Sequence, residues 1–385
     1  MAKPNFILPN KPAIKAGSIL SYNYTDDLKF AAEPLDFSRN GSATRVNEQG
    51  LIETTSANIS RIDYSDSSTE PSLLLEPQST NLFTYSNDFS QWDSLGFASV
   101  INNALVSPDG TLNADEFVFD GTNNGRIEKS VSTTNGLDYT FSIYLKNKDI
   151  ANPTQVFIGN ENNLSEGEFV TITNEWQRFT TTQTASNTNE FPRVRYNGIG
   201  SLYAYGAQFE QLSYATSYIP TSGSTATRLG ETADNAGGAG VFNSEEGVLY
   251  AEIAALADDL TNREITISDG GAQNYVMIRF NSGNSNWIYT RVNLGVGYEY
   301  YNIDTNHIIT DFNKIALRFQ DNNFATFING VKIDSQLSGN AFGVGVLNKI
   351  SFAGGTGSQP FYGKTKNVKV FNYALTDEEL QTLTT

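Results

Sequence analysis

The chain is 385 residues long, and 25 Lys and Arg against 42 Asp and Glu give it a net charge of −17. That balance argues against a nucleic-acid partner and against attachment to anionic lipid, both of which are held chiefly by clustered basic side chains. With no cysteine and a single histidine, His307, there is no disulfide framework, thiolate zinc site, iron–sulfur cluster, cysteine nucleophile or multi-histidine metal site.

At roughly 150 residues per domain, the length predicts two or three domains. Apolar residues are 39 % and aromatics 12 %, enough to bury cores, while charged residues are only 17 %. Abundant Gly, Ser, Thr and Asn add to an all-β expectation of many short strands and uncharged loops. The opening MAKPNFILPNKPAIKAG lacks an apolar h-region and predicts no Sec signal peptide. No stretch approaches the ~18 apolar residues of a membrane span. Through residue 85, Pro4, Pro9, Pro12, Pro34, Pro71 and Pro77 punctuate short apolar pieces such as Phe6-Ile7-Leu8 and Leu73-Leu74-Leu75. These predict an extended N-terminal segment, 1–85, that lies along another surface and serves attachment and oligomerisation.

Period-two patterning follows. Leu137, Tyr139, Phe141, Ile143 and Leu145 alternate with polar residues, the mark of a strand with one buried face. Phe117-Val118-Phe119, Val156-Phe157-Ile158, Phe169–Ile172, Trp176–Phe179 and Leu202–Glu210 are further strands, joined by turns such as Asn135-Gly136. Seven or more short strands at this spacing predict a sandwich over 86–228. Small polar residues and glycines then predict a linker over 229–240, within the loose stretch 222–240.

A second sandwich is expected over 241–385, with strands at Val248–Ile253, Tyr275–Phe280, Lys314–Phe319, Phe324–Ile328 and Val368–Phe371. Asn329-Gly330 predicts a hairpin turn. Thr376 and Glu379 form a capping box before one closing helix, with Leu375 and Leu380 as its hydrophobic staple. The fold class is therefore all-β, two jelly-roll sandwiches in tandem after the N-terminal segment.

Two stretches carry a family resemblance. LDFSRNGSATRVNEQGLIE, SRIDYSD and PSLLLEPQSTNLFTYSNDFSQW, within 35–92, and YGAQFEQLSYATSYIPTSGSTATR at 205–228 look like a module of tailed-phage fibre, spike and other virion surface proteins. In that family the intervening segment resembles a carbohydrate-binding-module jelly roll. KIALRFQDNNFATFINGVKIDS and FYGKTKNVKVFNYALTDEELQTL are similar to the closing strands of laminin-G/concanavalin-like lectin domains. A resemblance of this kind implies fold more strongly than ligand.

For enzymes the motifs are missing. The acidic Glu-x-Asp-x-x-Glu strand of concanavalin-like glycanases does not occur, since Glu252-Ile253-Ala254 and Glu264-Ile265-Thr266 both fail it. Nor is there a Gly-x-Ser-x-Gly elbow for a triad using His307, a Walker loop or a dinucleotide fingerprint. The expectation is no enzyme and no required cofactor.

Sugar binding needs an aromatic face plus polar groups for the hydroxyls. Trp287, in SGNSNWIYTRV, is the leading candidate, with Asn286, Tyr289 and Arg291 beside it; the competing reading packs Trp287 in the core. Tyr298, Tyr300 and Tyr301 read as strand packing or subunit contact, Trp92 and Trp176 as framework, and His307 as a surface residue. The jelly-roll resemblance also admits a structural calcium on Asp88 and Glu210, which otherwise read as solvated acids, as do Asp258 and Asp259.

These readings lead to a bacteriophage virion surface protein, a head fibre, spike or tail fibre. It would be made in the host cytoplasm, dock on other virion proteins through its N-terminus, and present lectin-like domains to host surface glycans as a homotrimer. A secreted or cell-surface bacterial lectin is the alternative, and a capsule depolymerase the second.

Overall fold

The computed structural model describes residues 3–15, 17–24, 30–67, 69–121, 124–149, 154–160, 167–281, 283–295 and 297–385. The architecture is all-β, closed by one α-helix over Asp377–Thr384. Among the described residues no helix is long and apolar enough to cross a membrane. The chain divides into two units, one of residues 1–41, 55–77 and 230–385, the other of 42–54 and 78–229.

In the first unit a 12-stranded sheet faces a 5-stranded one. The strand Gly363–Phe371 lies inside the larger sheet, with Glu246–Ala255 along one side and both Phe6–Leu8 and Ser72–Leu75 along the other. The smaller sheet runs Gly297–Asp304, Ile288–Leu294, Tyr275–Phe280, Arg263–Ser268, Lys349–Ser351. Alternation buries Ile265, Ile278, Ile288 and Val292 against Leu249, Ile253, Leu317 and Val368 of the larger sheet. Tyr300 also points into this core, where its hydroxyl donates to Thr326 Oγ1 at 2.9 Å. The opposite face of the larger sheet packs Val248, Tyr250 and Phe327 beneath Leu375, just before the helix, and Leu380 within it. The Thr376–Glu379 capping box forms as the spacing predicts. Asn329 and Gly330 both take positive φ in the hairpin turn.

The N-terminal residues are not a separate segment. Phe6, Leu8, Ile19, Leu35, Phe37, Ile62, Leu73 and Leu75 are buried in the same core as residues 241–370. The apolar pieces do lie along another surface, and that surface is the C-terminal strand of their own chain. The linker expected over 229–240 is likewise part of this unit. Thr232–Asp234 pairs with Phe30–Ser38, and Ala233 and Ala236 are buried. Its small residues suit close packing as well as flexibility, and composition alone does not separate the two.

The second unit is a sandwich of two 5-stranded sheets. One contains Leu112–Asp120, Ile199–Glu210 and Asp138–Asn147, the other Arg126–Glu128, Pro192–Arg195 and Thr154–Asn160. Phe117, Phe119, Tyr139, Phe141, Ile143 and Val194 fill the space between them.

Candidate functional site

The outer face of the 5-stranded sheet in the first unit carries the concentration of aromatic and basic side chains. Register places three cross-strand rows there. Glu264, Arg279, Tyr289 and Ile303 form one; Thr266, Met277, Arg291 and Tyr301 the next; Ser268, Tyr275, Asn293 and Tyr298 the third. Neighbours across strands on one face interact directly, and here they do so through rings and guanidinium groups. Arg291 lies 5.7 Å from the ring centre of Tyr275 and 5.1 Å from that of Tyr298. Arg279 lies 5.4 Å from that of Tyr289 and is ion-paired with Glu264. Tyr298 meets Tyr301 edge-on at 4.6 Å between ring centres.

One margin of this face is walled. Thr266 Oγ1 donates to Ala353 O at 2.7 Å, and Thr266 and Ser268 are fully covered. The approach requires glycine: a Cβ at Gly354 would stand 2.8 Å from Glu264 Oε2, and one at Gly355 would stand 2.1 Å from Gly271 O. The other margin is open, with Tyr298 53 % and Tyr301 47 % exposed. Burial pushes the Glu264 carboxyl above its ordinary range, against the pull of Arg279 and Arg291. Such a shelf can stack a pyranose ring on tyrosine and reach its polar substituents with arginine.

Tyr289 and Arg291 lie on this face, and Trp287, half-buried, continues the same alternation at its end. Among the described residues Trp287 makes no ring or cation contact. Asn286 is a loop brace: its Oδ1 accepts from Ile309 N at 3.1 Å, and its own N–H donates to Asp258 Oδ2 at 3.0 Å. Asp259 is held by Arg263 at 2.8 Å. His307, expected at the surface, keeps its side chain 22 % exposed, and its Nδ1 lies 2.7 Å from Asp304 Oδ2. Tyr300 is core, whereas Tyr298 and Tyr301 are open. The sequence reading missed Tyr275, Arg279 and Glu264, whose signal was their alternation with Val276 and Ile278 and with Ile265.

Asp88 and Glu210, which the resemblance admitted as a shared calcium site, are held by different partners. Asp88 caps the short turn Phe89–Gln91 and accepts from Ser90. Glu210, fully buried, accepts from Ser79 Oγ at 2.6 Å and from Thr216 N at 3.0 Å. Neutral donors already occupy its carboxylate. Among the described residues no three Asp, Glu or His side chains gather as a metal site. Trp92 is framework, tilted against Phe83 and edge-on to Phe89, with its Nε1 donating to Tyr85 O at 2.9 Å.

The two paired sequence stretches meet in the second unit. Asn81 Nδ2 donates to Ala207 O and Ile219 O, and its Oδ1 accepts from Phe83 N and Phe209 N. Gln208 Oε1 accepts from Ile219 N at 2.6 Å. These residues close the sandwich, which explains why the stretches occur together.

Residues 255–381 match the concanavalin A-like lectin/glucanases superfamily. That segment contains the whole tyrosine–arginine face, so the face stands on a lectin-like jelly roll. No curated protein sequence matches the chain. Among solved structures, the sialidase carbohydrate-binding module CBM40 of Ruminococcus gnavus, bound to α2,3-sialyllactose, is similar at 17 % identity. The match covers 40 % of this chain and 94 % of that one, with a TM-score of 0.32. Domain 4 of the arabinanase AbnA from Geobacillus stearothermophilus, in complex with arabinotriose, is similar at 14 % identity, 45 % and 81 % coverage and a TM-score of 0.33. Trypanosoma rangeli sialidase is similar at 10 % identity, 95 % and 66 % coverage and a TM-score of 0.32. Likenesses this remote carry nothing about ligand or reaction to this chain.

Proposed function

We propose that this protein binds glycans on the outer face built from Tyr275, Tyr289, Arg291, Tyr298 and Tyr301, and that it does so without hydrolysing them. The observation that carries the reading is the open Tyr298–Tyr301 pair beside a guanidinium held between two rings. Hydrolysis by the usual route needs two carboxylates across the scissile bond, and Glu264 is the carboxylate those three rows supply.

The setting we propose is the surface of a bacteriophage particle, with the protein as a homotrimeric spike or fibre. The support is the pair of long stretches resembling virion proteins. Weak single sites of about millimolar affinity, roughly 4 kcal/mol, also gain greatly from linked copies. Because Phe6–Leu8 is built into the core, docking on the particle uses some other surface.

Calorimetry of the full-length protein against host surface polysaccharide tests the binding. Tyr298→Ala and Tyr301→Ala should each weaken it about two- to tenfold. Unchanged affinity in both variants would reject the face. Light scattering should give three times the chain mass, and antibody labelling should decorate particles in electron micrographs; a monomer and bare particles would reject the setting.

A further inference from the structure

Resting on that glycan-binding reading, we propose that the ligand is an acidic sugar, one bearing a carboxylate, and that Arg291 is the group that receives it. The chain has 42 carboxylate residues for 25 Lys and Arg, so a half-buried arginine readily finds an acidic partner within the fold. Arg279, on the same face, has Glu264; Arg263 has Asp259; Arg318 has Asp377. Arg291 forms no ion pair among the described residues, although Glu264 lies near enough to feel its charge. Its Nη2 donates to the neutral Asn293 Oδ1 at 2.7 Å. Its Nε is buried with no acceptor, as are those of Arg279, Arg263 and Arg318, so what distinguishes Arg291 is Nη1, which no bond satisfies among the described residues.

The guanidinium is nevertheless held. Tyr275 and Tyr298 flank it, and Asn293 is itself fixed by donating to Gly295 O at 3.1 Å. A cation ordered before binding, with Nη1 unsatisfied, suits an incoming carboxylate, which an arginine can receive end-on through parallel N–H bonds from Nη1 and Nη2. Two features reduce repulsion of such a ligand. Glu264 is neutralised by Arg279, and its burial favours the protonated form. The net charge of −17 acts mostly from afar and is screened beyond about 8 Å at physiological salt. The sugar ring would then rest on Tyr298 and Tyr301, with its carboxylate at Arg291.

The test compares two probes differing in one group: an oligogalacturonic acid and the same oligosaccharide after carboxyl reduction. A second acidic sugar, sialyllactose against lactose, separates a uronic acid from a nonulosonic acid as the source of the carboxylate. Full-length protein is titrated with each by calorimetry at low and physiological salt. We expect at least one acidic probe to bind tenfold or more tightly than its neutral counterpart, with the preference shrinking as salt rises. Arg291→Gln should abolish the preference and Arg291→Lys should retain part of it, since lysine keeps the charge but loses the two-bond geometry. Circular dichroism shows that each variant is folded; should Arg291→Gln misfold, Arg291→Lys and the salt dependence carry the test. Equal binding of acidic and neutral probes, still weakened by Tyr301→Ala, would overturn the acidic ligand and leave the glycan face standing. A preference unaltered in a folded Arg291 variant would also overturn it. No binding of any probe would overturn both.

Discussion

Arg39 and Glu231, 192 residues apart in sequence, form a fully buried ion pair at 2.7 Å. Arg61 bonds the same carboxylate and also pairs with Glu76 at 2.7 Å. Burial opposes the charge on Arg61, but Glu231 and Glu76 outweigh it and hold the guanidinium protonated. Arg39 completes its donors with Thr55 Oγ1 at 3.0 Å and Ser56 O at 2.7 Å. Arg39, Thr55, Ser56, Glu76 and Glu231 each stand within two residues of a point where the chain leaves or re-enters the first unit: 41 to 42, 54 to 55, 77 to 78 and 229 to 230. The network therefore ties together the four ends that two excursions of the chain would otherwise leave separate.

Replacing Glu231 with Gln removes the shared carboxylate and leaves two buried cations facing one another. Breaking a buried ion pair from one side costs about 3–5 kcal/mol. Urea denaturation of Glu231→Gln should show a loss of that size, and a change below about 1 kcal/mol would mean the network contributes little.

Asn81 satisfies two carbonyls and two amides of buried backbone in the second unit. Asn81→Ala leaves all four without their partner, at roughly 1–3 kcal/mol for each group that water cannot reach. Hydrogen exchange should quicken at Phe83 and Phe209, whose amides donate to Asn81, before it does in the core strands of the first unit. Uniform exchange across both units would contradict this role.

Asp304 is buried beside His307. Burial alone would push its carboxyl up, but the bonds from His307 and Asn306 outweigh it and hold the carboxyl below its ordinary range. A depressed carboxylate binds fewer protons folded than unfolded, so its stabilisation is present above the ordinary carboxylate pKa, about 3.9, and is lost as pH falls through the depressed value. Asp304→Asn should therefore lower stability by about 1–3 kcal/mol near pH 7, and the gap from the parent should close below pH 4. Thermal melts across that range measure it, and a constant gap would assign the loss to packing.

Residues 241–385 do not contain a complete sandwich. A fragment of that span lacks Phe6, Leu8, Ile19, Leu35, Phe37, Leu73 and Leu75, leaving one edge of Gly363–Phe371 unpaired and apolar. Exposed edges of this kind pair between molecules. The fragment should aggregate on purification, whereas the full chain stays dispersed in light scattering. A dispersed fragment with a cooperative melt would show that 241–385 closes its own core.

Local chemistry made much of this protein legible in its sequence. The alternation of Tyr139, Phe141, Ile143 and Leu145, the Asn329-Gly330 turn and the Thr376–Glu379 capping box each act within a few residues, so composition and spacing suffice to read them. Tyr289 and Arg291 were legible as neighbours for the same reason, since residues two apart on a strand share a face. What stands across from them was not, because strand register is set by contacts distant in sequence. Register decided that Tyr275, Arg279 and Glu264 join Tyr289 and Arg291, and a bulge between Val292 and Asn293 brought Tyr298 and Tyr301 to the same outer face while Tyr300 turned inward. Tertiary structure also decided where the first 77 residues belong. Short apolar pieces between prolines have no core of their own, and only pairing with Gly363–Phe371, far along the chain, shows that Phe6–Leu8 and Ser72–Leu75 complete the sheet.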